Sequence, residues 1–361
     1  MSSILIVTTV RDEGPFLIDW IAHHRALGVT DFLIYSNDCS DGTHVLLDRL
    51  QDAGILHHVP QLVARNKTPQ WQALKSAWDH PLRLAADWII VMDCDEYISL
   101  ADHVPDLDAL IAGCPDNMDA LALAWRFFGN NSVQHFVDVP VTTQFTRAAP
   151  EPCPFPLNAS FFKTLVRNGS RLQKLGVHRP KFKNKTRHGQ SVWVDGSARP
   201  LPPRYSENDG PISLLGLTDH TELVRMNHYS LRSAQSFLIK RARGLPNHTE
   251  REIDLAYWVE RNFNTEEDSR ITNAFERSDV DRKYILSLPG VNDAHIAAVD
   301  LHQRAIDQML KNPDIIYFYS RLLLAPSTPT LSHETAASVF DLHRKAAVEA
   351  QKTSHHKSRS E

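Results

Sequence analysis

The hydrophobic positions of the first hundred residues follow two alternating spacings. Short apolar runs at 4–10, 32–35 and 88–92 consist mostly of aliphatic and aromatic residues, which is typical of strands buried on both faces. Between the first two runs, apolar side chains from Phe16 to Leu27 recur every three or four positions, as on one face of a helix. This strand–helix alternation predicts an α/β fold with a mostly parallel sheet and helices on both faces.

The spacing becomes helical in the last third of the chain. Apolar stripes at 296–310, 315–324 and 336–350 are separated by proline-containing breaks, which predicts several consecutive helices. The pattern therefore divides the chain into three parts. They are an α/β part, a C-terminal helical region, and a tail without apolar anchors that we expect to be disordered, at 1–230, 231–350 and 351–361 respectively.

Composition narrows the class of protein. A formal net charge of -4 over 361 residues gives no electrostatic reason to expect nucleic acid or an anionic membrane as the main partner. The four cysteines are far apart, so they predict neither a zinc site nor a disulfide framework. No run approaches the roughly twenty apolar residues of a membrane span. We expect a cytoplasmic protein, with peripheral attachment to the inner face of the membrane as an option.

Polar clusters follow the predicted strands at the point where each strand ends. They lie at 11–13, 36–43 and 93–96, and the carboxyl ends of parallel strands form the ligand-binding edge of such a sheet. Alternate residues of an extended segment point the same way, so Asp93 and Asp95 can face one ligand. Their hard oxygen ligands suit Mg²⁺ or Mn²⁺. A solvated strand end with a helix-capping aspartate is the alternative interpretation.

The motifs together resemble a known enzyme family. The sequence Arg-Asp-Glu-Gly-Pro at 11–15, the loop at 37–43 and Asp-Cys-Asp-Glu at 93–96 resemble the amino-terminal half of family-2-type glycosyltransferases with the GT-A fold, most of all a bacterial subgroup. The resemblance is thinner at 227–229. It implies transfer of a sugar from a nucleotide diphosphate sugar to an acceptor hydroxyl, with Asp-x-Asp and a divalent metal on the diphosphate.

The resemblance also implies site residues. The nucleotide-sugar would contact residues of the first part of the chain and one later arginine: Thr9, Arg11, Glu13, Asn37, Asp38, Asp41, Asp93 and Arg241. The metal, Mn²⁺ or Mg²⁺, would be held by Asp93, Asp95 and His228. His178 and His220 are the alternatives to His228 as the histidine ligand. The alternative is that Asp38 and Asp41 are turn and capping residues and that Glu13 completes the start of a helix.

One departure from the family pattern affects the expected nucleotide base of the sugar donor. Common members of the family have a pair of acids where this chain has Ser36 and Asn37, so uridine is only the default expectation. The acceptor would be a carbohydrate or another hydroxyl compound. The helical region would either pack against the sheet or form a homo-oligomer contact.

The sequence does not identify a single residue as the catalytic base. An inverting transfer needs a carboxylate to take the acceptor proton, and Asp219 and Glu222 are the nearest candidates, with Asp195 and Glu96 as alternatives. The setting implied by the resemblance is bacterial polysaccharide or glycoconjugate synthesis. Other classes remain open: a nucleotidyltransferase of related fold, which normally has a glycine- and lysine-rich phosphate loop that this chain lacks, and a non-catalytic nucleotide- or sugar-binding protein.

Overall fold

The computed structural model describes residues 1–64, 67–169, 171–183, 189–244 and 253–357. The predicted α/β class is confirmed. The strands are β1 Ile4–Val10, β2 Asp31–Ser36, β3 His57–Pro60, β4 Trp88–Val91, β5 Glu96–Leu100, β6 Ala120–Phe127, β7 Arg147–Ala148, β8 Phe162–Arg167, β9 Leu172–Lys174, β10 Lys181–Phe182, β11 Trp193–Val194, β12 Val224–His228 and β13 Glu266–Glu267.

The helices become longer toward the end of the chain. They are α1 Gly14–Ala26, α2 Thr43–Asp52, α3 Pro69–Trp78, α4 Pro81–Ala85, α5 Leu107–Ala112, α6 Val141–Gln144, α7 Arg204–Glu207, α8 Ala234–Arg243, α9 Leu255–Val259, α10 Phe275–Ser287, α11 Val291–Met309, α12 Pro313–Leu324 and α13 His333–Lys357, with 3-10 helices at Leu157–Ser160 and Arg270–Ala274. The predicted helical C-terminal region is present.

The main sheet has the strand order β3-β2-β1-β4-β8-β6-β12-β5, and β11 also pairs with β6. β1 is parallel to β2 and β4, β2 to β3, and β6 to β12. β8 runs antiparallel between β4 and β6, and β5 runs antiparallel to β12. The carboxyl ends of β1, β2, β4 and β12 therefore meet the amino ends of β5 and β8 at one edge of the sheet.

Both faces of the sheet are buried, as the apolar strand runs predicted. On β1, Ile6 faces a core that it shares with Trp20 of α1, while Leu5 faces a second core with Leu74 of α3. Successive side chains of a strand point to opposite faces. A strand between two helical layers is therefore buried at every position. All seven residues of β1 are buried, and five of them are apolar, the exceptions being Thr8 and Thr9.

The C-terminal helices cover the same face as α1. α10 and α11 pack against α1, and α11 also packs against α2 and α8. Arg25 of α1 donates to Asp281 of α10 at 2.8 Å. α10 is thus tied to the end of α1 at Arg25, whereas α11 supports its start at the polar edge of the sheet, where Ala298 lies next to Gly14.

The end of the chain differs from expectation. α13 continues to Lys357, into the segment that we expected to be disordered from residue 351, and 358–361 lie outside the described residues. Among the helices described here, none combines the length and apolarity needed to cross a bilayer.

The close approach of α1 and α11 gives a first prediction. A Cβ at Gly14 would lie 2.7 Å from the Cβ of Ala298, so Gly14→Ala should lower the free energy of unfolding by about 1–3 kcal/mol through overpacking. In the Gly14→Ala, Ala298→Gly double variant the loss should be smaller than the sum of the two single losses. Urea denaturation of the four proteins measures this coupling.

A glycine at which a methyl group would make only ordinary van der Waals contacts provides the control. A Cβ at Gly113 would meet its nearest atoms at 3.5 Å, so Gly113→Ala should leave stability nearly unchanged. A Gly14→Ala variant as stable as Gly113→Ala would contradict the proposed packing of α11 on α1.

Candidate functional site

A cavity of about 880 Å³ lies at the polar edge of the sheet. It is lined by the loops that follow β1, β2 and β4, by the end of β12, and by parts of α8, α9 and α13. The predicted convergence of polar clusters on one crevice is therefore present in the structure. A volume of this size is within the usual range for small-molecule sites.

Most of the expected site residues line this cavity. They are Thr9, Arg11, Glu13, Asn37, Asp38, Asp93, Asp95 and His228, together with His178, the alternative histidine ligand. Asp41, Arg241, Asp219, Glu222, Asp195, His220 and Glu96 are not among the residues that line it.

Asp41 supports the loop instead of facing the cavity. Its Oδ1 accepts from the Thr43 backbone N–H at 2.9 Å, and its Oδ2 accepts from the Gly14 N–H at 3.0 Å. This is the turn-and-cap role that short polar side chains commonly play. Arg241 lies with its guanidinium 4.4 Å from the ring centroid of Phe318 of α12. Neither residue lines the cavity.

The two candidate bases lie at the wrong end of β12. Residues Asp219 and Glu222 precede β12, whereas His228 ends it, and the strand itself spans on the order of 13 Å. Glu222 is exposed and pairs with Arg199 at 3.5 Å. Asp195 also lies away from the cavity, where its Oδ1 accepts from backbone N–H groups of its own loop. This corrects the sequence-based assignment of the base.

Glu13 is buried between two arginines. Arg232 donates to its Oε2 at 2.6 Å, and Arg243 donates to its Oε1. Burial by itself raises the pKa of Glu13, but Arg232 and Arg243 outweigh burial and hold the pKa below its ordinary value. Arg232 has a left-handed backbone (φ +55°) and also donates to the Cys94 carbonyl at 3.1 Å. Such a conformation persists where surrounding contacts hold it.

Asp93 is held by groups that sequence reasoning missed. Its Oδ1 accepts from Gln70 and its Oδ2 from Lys163, each at 3.0 Å. Lys163 is fully buried and also lies 3.2 Å from Glu96. Burial lowers the pKa of Lys163, whereas Asp93 and Glu96 raise it above its ordinary value. The available signal was a lysine in the apolar strand sequence Phe-Lys-Thr-Leu-Val, because a buried lysine needs an acidic partner.

Glu96 is enclosed in the same cluster. Burial raises its pKa, Lys163 lowers it, and Asp93 raises it again, with a net increase to about 8. Its partners are all donors: the Asp93 N–H at 2.7 Å, the Trp125 indole at 2.8 Å, and Lys163. Glu96 therefore fixes the positions of Asp93 and Trp125. It does not line the cavity, so it is not placed to act there as a catalytic base.

Asp95 and His228 lie side by side at the cavity wall. Asp95 Oδ1 is 3.6 Å from His228 Nε2, and Asp95 Oδ2 accepts from Lys240 at 2.6 Å. Burial raises the pKa of Asp95, but Lys240 and then His228 hold it well below its ordinary value. Burial lowers the pKa of His228 more than Asp95 raises it. The imidazole is therefore neutral at pH 7, which is the form that binds metals.

These atoms allow a test of the predicted metal site. Two ligands of one ion, each roughly 2.1 Å from it, lie about 3–4 Å apart, so Asp95 Oδ1 and His228 Nε2 fit a shared cation. Each oxygen of the Asp93 carboxylate already accepts one hydrogen bond, from Gln70 and Lys163, so in this arrangement Asp93 is positioned by protein donors. Within the described ranges, no three His, Cys, Asp or Glu residues form a metal-binding group. Among these described residues, Asp95 and His228 are the pair whose spacing suits one ion. Mg²⁺-type sites commonly complete such a shell with substrate phosphates and water.

The side of the cavity opposite the β1 loop is aromatic. The ring of Trp125 lies 4.4 Å from His228 and 5.9 Å from Phe161. Phe155 belongs to a proline-rich loop at 150–156, and its ring centroid lies 5.5 Å from that of Phe340 of α13. Aromatic faces of this kind present flat apolar surface, and the Trp125 N–H is already bound to Glu96.

Comparison with known proteins gives one family. The model of glycosyltransferase family 92 matches residues 7–192. A glycosyltransferase family 92 protein of Ricinus communis is 25% identical over 146 residues, which is 39% of this chain and 25% of that protein. One from Oryza sativa subsp. japonica is 25% identical over 155 residues, covering 41% and 26%. The matches thus span about a quarter of the length of these curated relatives.

Two solved structures are more distant. S. aureus TarS 1–349 in complex with UDP-GlcNAc is 14% identical and covers 35% of this chain and 34% of that chain, with a TM-score of 0.26. Glucosyl-3-phosphoglycerate synthase from Mycobacterium tuberculosis, in complex with Mn²⁺, UDP and glucosyl-3-phosphoglycerate, is 12% identical and covers 46% and 57%, with a TM-score of 0.27.

The matched family corrects one expectation. The motifs resemble family-2-type enzymes, whereas the match is to family 92, so the glycosyltransferase class holds and the family number does not. Both curated relatives come from plants and give no support to a bacterial setting. The match ends at residue 192, before β12 and α8. His228 and Lys240 therefore join the site from outside the matched segment.

The Glu13 cluster gives a prediction about stability. Glu13→Gln should lower the free energy of unfolding by about 3 kcal/mol at pH 7, because two buried arginines lose their anionic partner. The folded-state pKa lies below the ordinary 4.5, so the carboxylate contributes fully above pH 4.5 and progressively less as pH falls. The difference between wild type and Glu13→Gln should therefore shrink toward about pH 3.5. Urea denaturation at both pH values measures it.

The matched control is Glu334→Gln on the exposed side of α13. It should change the free energy of unfolding by no more than about 0.5 kcal/mol at either pH. An equal effect of the two substitutions, or a Glu13→Gln effect that grows on acidification, would contradict the ion-pair assignment.

Proposed function

The chain belongs to glycosyltransferase family 92, and from this premise we propose that it transfers a sugar from a nucleotide diphosphate sugar to an acceptor hydroxyl. The observation that carries the proposal is the cavity at the carboxyl edge of the sheet. There Asp95, His228, Lys240 and Arg243 face one space. Carboxylate, imidazole and cationic groups together are what a metal–diphosphate complex requires.

The nucleoside would bind at the ends of β1 and β2. Thr9, Arg11, Asn37 and Asp38 line this end of the cavity, and they provide hydroxyl, guanidinium, amide and carboxylate groups for a base and a ribose. Asp38 has a left-handed backbone (φ +48°) and accepts from the Asn37 side chain at 3.0 Å. Uridine remains the base that we propose.

The diphosphate would bind between Asp95 and α8. Asp95 and His228 would hold Mn²⁺ or Mg²⁺, which as a Lewis acid neutralises charge on the leaving diphosphate. Lys240 and Arg243 line the same part of the cavity and supply further positive charge. Arg243 already donates to the Arg11 carbonyl at 2.6 Å. This hydrogen bond fixes its guanidinium beside the part of the cavity where the nucleoside would bind.

The acceptor would lie on the aromatic side. Trp125, Phe155, Phe161 and Phe340 give faces on which a sugar ring can stack, so a carbohydrate acceptor fits best. In an inverting reaction the acceptor proton passes to a carboxylate. Glu260 lines the cavity on this side and replaces Asp219 and Glu222 as the candidate base.

A ligand panel tests the proposal. Wild-type protein is heated with UDP, GDP or ADP, with and without Mn²⁺, and unfolding is followed by thermal shift. We expect one diphosphate to raise the melting temperature more with Mn²⁺ than without it, because ligand at about 100 Kd stabilises a protein by about 2.7 kcal/mol. Slow hydrolysis of the matching nucleotide sugar then separates an enzyme from a binding protein.

Variants localise the response. Asp95→Asn should remove the Mn²⁺-dependent part of the shift, since it removes a carboxylate ligand. Asp307→Asn, on the exposed side of α11, should retain it. A wild-type protein that responds to none of the diphosphates in either condition would refute the proposed function.

A further inference from the structure

Lys240 binds the Asp95 carboxylate at Oδ2, while the other oxygen, Oδ1, faces His228. Its Nζ donates to Asp95 Oδ2 at 2.6 Å and to the Ser230 carbonyl at 2.7 Å. The lysine side chain is 12% exposed and the Asp95 side chain 11%, so water screens the pair little. The ammonium and a metal ion bound to Asp95 would therefore compete for the same carboxylate.

The surrounding charges are already balanced by protein groups. The carboxylates of Glu13, Asp93 and Asp95 are each paired with at least one of four cations, which are Arg232, Arg243, Lys163 and Lys240. A divalent ion added alone would place two further positive charges beside a cluster in which these carboxylates do not outnumber the cations, close to an ammonium. Two like charges a few Å apart in a poorly screened site repel strongly. A diphosphate that arrives with the ion supplies the missing negative charge.

We propose that Lys240 neutralises the Asp95 carboxylate until the donor arrives, and then moves to the diphosphate, so that the chain binds a divalent cation tightly only together with the diphosphate. This inference rests on the proposed function. It assigns Lys240 as a positioning residue that couples metal binding to donor binding.

The chemistry of lysine suits this exchange. Its ammonium is a compact charge on a flexible four-carbon stem, and Lys240 lines both the main cavity and the small pocket behind Asp95. A rotation of the stem can therefore carry Nζ from the carboxylate to the open cavity while α8 stays in place. The other cations of the cluster have no such freedom, because Lys163 is fully buried and Arg232 and Arg243 bind Glu13.

The decisive experiment measures Mn²⁺ binding without nucleotide. Free Mn²⁺ is followed by its electron paramagnetic resonance signal during titration of wild type and Lys240→Met. We expect Lys240→Met to bind Mn²⁺ at least about tenfold more tightly than wild type, because one competing charge at close range has been removed.

A matched lysine provides the control. Lys283 pairs with Asp279 on the surface of α10 at the same distance, 2.6 Å, but is 72% exposed. Lys283→Met should leave Mn²⁺ affinity at the wild-type value. Equal Mn²⁺ affinity of Lys240→Met and Lys283→Met would overturn the proposal.

The second arm repeats the titrations with UDP as the probe. In wild type UDP should strengthen Mn²⁺ binding by more than about tenfold, and in Lys240→Met the gain should be smaller, because part of the wild-type gain comes from displacing the lysine. If Lys240→Met does not fold, Lys240→Gln keeps a polar group near Ser230 and serves in its place. A wild type that binds Mn²⁺ as tightly without UDP as with it would also overturn the proposal.

The two hypotheses fail in different ways. Absence of any nucleoside diphosphate binding by wild type removes the proposed function, whereas the titration without nucleotide still tests the competition at Asp95. Normal UDP binding together with an unchanged Mn²⁺ affinity of Lys240→Met removes only the role of Lys240.

Discussion

Buried ion pairing at the carboxyl edge of the sheet is the constraint on which this structure depends. An acid that leaves a buried strand loses much of its hydration, and it stays ionised only if cations and N–H donors replace the water. Here Glu13, Asp93 and Asp95 each have at least one lysine or arginine within ion-pair distance. The requirement for these cations explains why distant parts of the chain converge on the loops that follow β1 and β4.

The sheet topology makes that convergence possible. β8 and β5 run against β4 and β12, so Lys163 near the start of β8 and Glu96 at the start of β5 reach the same edge as Asp93. β12 then brings His228 to this edge, and the chain turns through Arg232 into α8, which carries Lys240 and Arg243. Two antiparallel strands in a mostly parallel sheet thus deliver residues from their amino ends to a site that parallel strands supply from their carboxyl ends.

The C-terminal helices complete the cavity on two sides. α11 packs on α1 and α8 and so fixes the arginines around Glu13. α13 reaches across to the proline-rich loop through Phe340 and Phe155. Helices that looked like a separate region in the sequence pattern therefore form walls of the candidate active site, and Phe340 adds to its aromatic surface.

The amino-acid sequence by itself determined the α/β class, the strands β1, β2 and β4, and the loops in which the polar site residues cluster. These follow from local periodicity and from polar residues at strand ends, and both signals lie within short stretches of chain. Tertiary structure alone decided which acids face the cavity. Asp41 turned out to cap a loop, Asp219 and Glu222 lie at the far end of β12, and Glu260 joins the cavity from α9. Only the folded chain brings Lys163 and Lys240 to Asp93 and Asp95, because charge pairing acts through space between residues that sequence spacing does not relate.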